Sequence, residues 1–70
     1  MYLVIELQKT GNQLAHIVTT FSDKNEAESK YYNVLAAAAV SSVQKHAAVI
    51  ITEDGMKIKS EVYEHEQEEL

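Results

Sequence analysis

Seventy residues leave room for one small domain, and the absence of cysteine removes disulfides, thiolate metal ligands and a cysteine nucleophile together. Eleven Asp and Glu stand against six Lys and no Arg; the net charge of −5 repels polyanions and disfavours direct DNA or RNA binding, which leans on arginine forks. A chain this short buries only about 60 % of its unfolded surface, so association between copies is the remaining way to stabilise it.

The first element in chain order is an amphipathic strand over residues 2–7, with Leu3, Ile5 and Leu7 on one face and Tyr2, Val4 and Glu6 on the other. Residues 8–13 carry Gly11-Asn12 turn chemistry and close a hairpin. Residues 14–21, rich in β-branched side chains, return as a second strand, with Ala15, Ile17, Thr19 and Phe21 expected on the core side. Met1 leads straight into a strand with no basic segment, and no apolar run is long enough to cross a bilayer. Neither a signal peptide nor a membrane span is expected, and the lack of cysteine fits a cytoplasmic location.

The stretch 22–42 reads as the helix around which the rest is arranged. Ser22 and Asp23 are N-cap candidates, and Asp23 with Glu26 has capping-box spacing at the positive end of the helix dipole. Ala27, Tyr31, Val34, Leu35 and Ala38 fall on one stripe, while Lys24, Glu28 and Asn33 lie off it. Leu35 and the four alanines after it have the highest helix propensity in the chain. Their small side chains also admit a close neighbour, either this chain's own sheet or a partner helix meeting Ala36 and Ala39.

Beyond the helix, residues 47–53 form a third strand and residues 56–63 a fourth, joined by Asp54-Gly55 as a two-residue turn of type I′. That turn sets Ile51 opposite Ile58 and Val49 opposite Ser60 on the presumed core face. It sets Ile50 opposite Lys59 and Ala48 opposite Glu61 on the other. The expected fold is therefore α+β with the order β-β-α-β-β: one helix packed on one face of a four-stranded, mainly antiparallel sheet. Residues 1–64 form a single domain, and residues 65–70 form an acidic tail. The face away from the helix is expected to carry Tyr2, Val4, Ala48, Ile50 and Tyr63, with Leu14 and Val18. It is too apolar for a bare solvated surface and reads as an oligomer interface.

Chemistry is sparse. His16, His46 and His65 lack metal-ligand spacing, although His46 and His65 could approach each other across the second hairpin. Ser41 and Ser42 near His46 read as helix-end caps rather than nucleophiles. No metal, cofactor or catalytic residue is expected, and the chain reads as a non-enzyme. Lys30, Tyr31 and Tyr32 combine a cation with two rings that could clasp a nucleotide. The plainer reading is one core tyrosine, one rim tyrosine and a solvated lysine.

Three segments, MYLVIEL at the start, DKNEAESKYYNVLAAAAVSS in the middle and HAAVIITEDGMKIKSEVYEHE at the end, resemble short phage- and prophage-encoded proteins of gut Firmicutes. The resemblance spans nearly the whole chain. That family has no assigned activity, so no functional residue carries over; what the resemblance implies is a phage accessory protein in a bacterial host cytoplasm or on a virion. In that setting the first expectation is a homo-oligomer that antagonises host anti-phage defence. It would sequester a nucleotide signal between copies through Lys30, Tyr31 or Tyr32, or mask a defence protein. The second is a minor virion or tail-assembly component, and the third an acidic mimic of DNA.

Overall fold

A computed structural model describes residues 1–65. The elements are β1 (Tyr2–Thr10), β2 (Gln13–Phe21), α1 (Lys24–Ala39), β3 (Lys45–Thr52) and β4 (Lys57–Glu64). This is the expected β-β-α-β-β layout. The tail's Glu66, Glu68 and Glu69 lie outside the described residues.

The sheet order is β2-β1-β3-β4 with every neighbouring pair antiparallel. β2 and β3 therefore run parallel with β1 between them, and a connection between parallel strands needs a long crossover, which α1 supplies. Asp23 caps the helix, its side chain accepting from the Asn25 amide at 3.2 Å while its carbonyl accepts from Ala27 at 3.1 Å. Sixteen residues at about 1.5 Å each give a helix about 24 Å long. Its last turn has no basic residue. The imidazole Nε2 of His65, arriving from the far end of the chain, instead donates to the Ala38 carbonyl at 2.8 Å.

Both hairpins are set by glycine. Thr10 pairs with Gln13 around Gly11-Asn12, and Gly11 has φ +61°, the sign pattern of a type II′ turn. The second turn differs from the expected type I′. That type needs positive φ at both central residues, yet among the described residues only Gly11 and Gly55 have it. Gly55 donates to the Thr52 carbonyl at 2.9 Å, and Thr52 donates to the Met56 carbonyl at 2.9 Å. The loop is thus three residues long, a turn followed by Gly55 at φ +84°. The extra residue is absorbed where the register slips between Ile50 and Ile51. Lys59 still faces Ile50, but Lys57 faces Ile51, and Ile58 is turned against the core.

The core lies between α1 and the sheet and consists of Val4, Ala27, Tyr31, Val34, Ala48 and Ile50, with Tyr2, Phe21, Leu35 and Ile58 at its margin. The helical stripe is the expected one. The sheet face is not. Val4, Ala48 and Ile50 are each 1 % exposed beneath the helix, so the face expected to lie outside is the core face. The physical reason is the β1–β2 register. Tyr2 pairs with Phe21, Val4 with Thr19 and Glu6 with Ile17, so the even residues of β1 share a face with Phe21. The charged residues of this face are accommodated: Glu6 meets His46 inside, and Lys59 and Glu61 sit on edge strand β4.

Candidate functional site

Turning the sheet over leaves a different set of side chains uncovered. β1 contributes Leu3, Ile5 and Leu7, and their partners across the ladders are Thr20, Val18 and His16 on β2 and Ile51, Val49 and Ala47 on β3. Val62 on β4 faces Ala47, and Ser60 faces Val49. No element of the described chain lies over this face, since α1 packs on the other. Leu14, Val18 and Val62 are 63 %, 48 % and 49 % exposed, high values for large apolar side chains sharing one surface. A shallow depression of about 270 Å³ opens beside Leu7, Ala47, Val49, Ser60 and Val62.

Charge is confined to the two ends of this face, with Lys57 opposite Ile51 at one of them. Lys9 sits opposite Lys45, and Glu64 pairs with Lys45 at 3.4 Å. Among the described residues, Glu64 is the acidic side chain in register with the open face. Glu6 and Glu61 project to the helix side, Asp23, Glu26 and Glu28 belong to α1 and its cap, and Glu53 and Asp54 form a turn. Among the described residues, the acidic side chains other than Glu64 therefore lie off the apolar surface.

The residues expected to clasp a nucleotide stand in different surroundings. Tyr31 is 3 % exposed in the core, and burial pushes its hydroxyl above the usual tyrosine range. Tyr32 stands half exposed with its ring edge-on to Tyr31 at 5.2 Å. Its hydroxyl accepts from Lys59 Nζ at 2.6 Å, and the same Nζ reaches Glu28 Oε2 at 3.0 Å. Those two hydrogen bonds, Tyr32's first, hold the Lys59 ammonium well above its ordinary pKa. Lys30 is partly buried on the side of Glu6. The plainer reading of this trio is closer to the geometry, with the cation–tyrosine contact made by Lys59 instead. Of the expected interface residues, Ala36 and Ala39 are exposed on α1, and Tyr63 is 38 % exposed on the helix side of β4. Tyr2, Val4, Ala48 and Ile50 pack against or within the core.

Among the described residues, His46 is the one polar or charged residue that is buried. Its Nε2 lies 2.5 Å from Glu6 Oε2, which also accepts from Gln8 Nε2 at 3.0 Å. The carboxylate accepts, so Nε2 carries the proton, and Nδ1 is buried with no hydrogen-bond partner. His46 and His65 therefore serve different partners, and among the described residues no group of three or more His, Asp or Glu could hold a metal. The His46–Glu6 pair ties β3 to β1 on the helix side of the sheet.

This pair gives the fold a pH dependence. Burial raises the Glu6 carboxyl, but hydrogen bonds from His46 and Gln8 and the charges of His46 and Lys30 outweigh it, so the group sits below its ordinary 4.5. A carboxyl depressed in the folded state contributes stability that is present above its unfolded value and lost as pH falls through the folded one. Urea denaturation is therefore expected to show stability declining below about pH 4.5. Glu6→Gln is expected to be less stable at neutral pH and to have a flatter acid limb; an unchanged acid limb would place the dependence elsewhere.

No family model, curated protein or solved structure matches the chain. The reading of its function rests on this geometry.

Proposed function

We propose that this protein is a small non-enzymatic binding module that works as a homo-oligomer, its copies meeting through the helix-free face of the sheet. The observation that carries this reading is the uncovered apolar surface of Leu3, Ile5, Leu7, Leu14, Val18, Val49 and Val62. Antiparallel sheets tolerate one solvated face when that face is polar, and on this one large apolar side chains share the surface with only Thr20, His16 and Ser60 between its charged ends. Four strands about 4.8 Å apart and about seven residues long give a face of roughly 19 by 23 Å. Two such faces in contact approach the roughly 1,000 Å² that marks a stable interface. Among the described residues the acidic side chains other than Glu64 lie off this surface, so two acidic chains meet on it with few carboxylates in contact.

A non-enzymatic role fits the inventory, because the His46–Glu6 pair is enclosed and there is no cysteine. In the phage setting that the resemblance implies, the matching role is masking a host defence protein rather than capturing a nucleotide. Tyr31 is committed to the core, and Tyr32 is engaged by Lys59.

A chain without cysteine allows single-cysteine labelling. Val62→Cys, on the open face, is expected to react with maleimide several-fold more slowly than Ala36→Cys on the outer side of α1 at micromolar protein, and to recover its reactivity on dilution. Equal rates at every concentration would leave the face uncovered and remove the proposal; protection of Ala36→Cys alone would move the contact to the helix.

A further inference from the structure

The two edges of the sheet are built differently. β4 carries Lys57, Lys59, Glu61 and Glu64 along eight residues, and the register slip at Ile50 and Ile51 bends it. Charges and bulges of this kind keep an edge from pairing with another strand. β2, at the other edge, runs nine residues from Gln13 to Phe21 with no charged residue and no proline. Nothing in its sequence protects it.

One hydrogen bond fixes which β2 amides face outward. The Met1 carbonyl accepts from Glu53, so the odd residues of β1 bond towards β3 and the even ones towards β2. Their partners on β2, namely Gln13, Ala15, Ile17, Thr19 and Phe21, bond inward. Leu14, His16, Val18 and Thr20 therefore present their N–H and C=O groups to the outside. Ile17 is 53 % exposed, since the helix lies mainly over β3 and β1 and leaves the β2 margin open.

We infer that β2 pairs with β2 of a second copy, antiparallel about a two-fold axis through Ile17, so that two sheets join edge to edge. The axis at Ile17 matches the full length of the strand to itself. It sets His16 opposite Val18 and Leu14 opposite Thr20 as hydrogen-bonded pairs, and brings the two Ile17 side chains together at a close, non-hydrogen-bonded position. No charge opposes a like charge. A second copy is favoured over a foreign peptide because the strand is uncharged and matches itself end to end. The pairing also closes. Once both β2 edges are used, the outer edges are the two charged β4 strands, and growth stops at the pair. This inference is independent of the face-to-face contact, which the Val62→Cys labelling reports.

Proline at His16, which is not among the apolar residues of the face-to-face contact, removes an outward N–H and no bond to β1, the placement at which an edge strand tolerates proline. His16→Pro is expected to keep its far-UV circular dichroism while its particle mass by light scattering falls by half. In the wild type, the amides of Leu14, His16, Val18 and Thr20 are expected to exchange with solvent as slowly as the inward ones; this reading stands even if the proline variant does not fold. Rapid exchange at those four amides, an unchanged mass for a folded His16→Pro, or open-ended growth into fibres would each overturn the inference.

Discussion

Ile50→Asp is expected to unfold the protein at room temperature. Ile50 is 1 % exposed and, with Val4, one of the two largest fully buried side chains. It sits opposite Val4 on β1 and beneath the helix. Losing its burial removes about 1.5–3 kcal/mol. Its cross-strand neighbour Lys59 is already held by Tyr32 and Glu28, so the carboxylate brought in is buried without a partner of its own and costs several kcal/mol more, or must bind a proton. A domain of this size has a total stability of roughly 3.5–10 kcal/mol at about 0.05–0.15 kcal/mol per residue. The substitution consumes most or all of that margin. Far-UV circular dichroism and amide chemical-shift dispersion are the readouts, and a folded variant would contradict the placement of the core.

The same change one residue earlier is expected to do something else. Val49→Asp lies on the helix-free face, between Ile5 on β1 and Ser60 on β4. In a single copy its carboxylate reaches water, and the cost is mainly lost strand propensity, at most about 1 kcal/mol. In the assembly, each copy would push a carboxylate into an apolar contact. A central interface position loses about 2 kcal/mol or more, which is about 30-fold or more in affinity. The expected outcome is a folded chain of lower mass by sedimentation velocity. Unfolding of both variants would mean that both faces are buried within one copy, and a folded, fully associated Val49→Asp would remove the face from the interface.

These two residues also show where the sequence was legible. The helix, its Asp23 cap and its stripe of Ala27, Tyr31, Val34 and Ala38 follow from local propensity and the 3.6-residue period, and the structure has all of them. The strand order β2-β1-β3-β4 has no local signature, because it depends on how the crossover docks. Assigning the faces of β1 and β3 by counting apolar residues fails, because Glu6 and His46 look solvent-facing one at a time and are buried as a pair. The needed signal was present in the first hairpin. A two-residue Gly11-Asn12 loop forces Tyr2 opposite Phe21, and Phe21 was already assigned to the core side. The second hairpin misleads in the opposite way, since Asp54-Gly55 suits a two-residue turn but occurs here within a three-residue loop. Of the candidate site, Leu14 and Val18 were legible as outer residues. Leu3, Ile5, Leu7 and Val49 were not, because the same hydrophobicity that marks them as a contact surface marks them as core.

The most direct test is the mass of the unmodified protein in solution at micromolar concentration by multi-angle light scattering. A sheet with one apolar face left open by its own helix is expected to give two or more copies of the 7.9 kDa chain in each particle. A single well-folded species of 7.9 kDa, stable at that concentration, would contradict it.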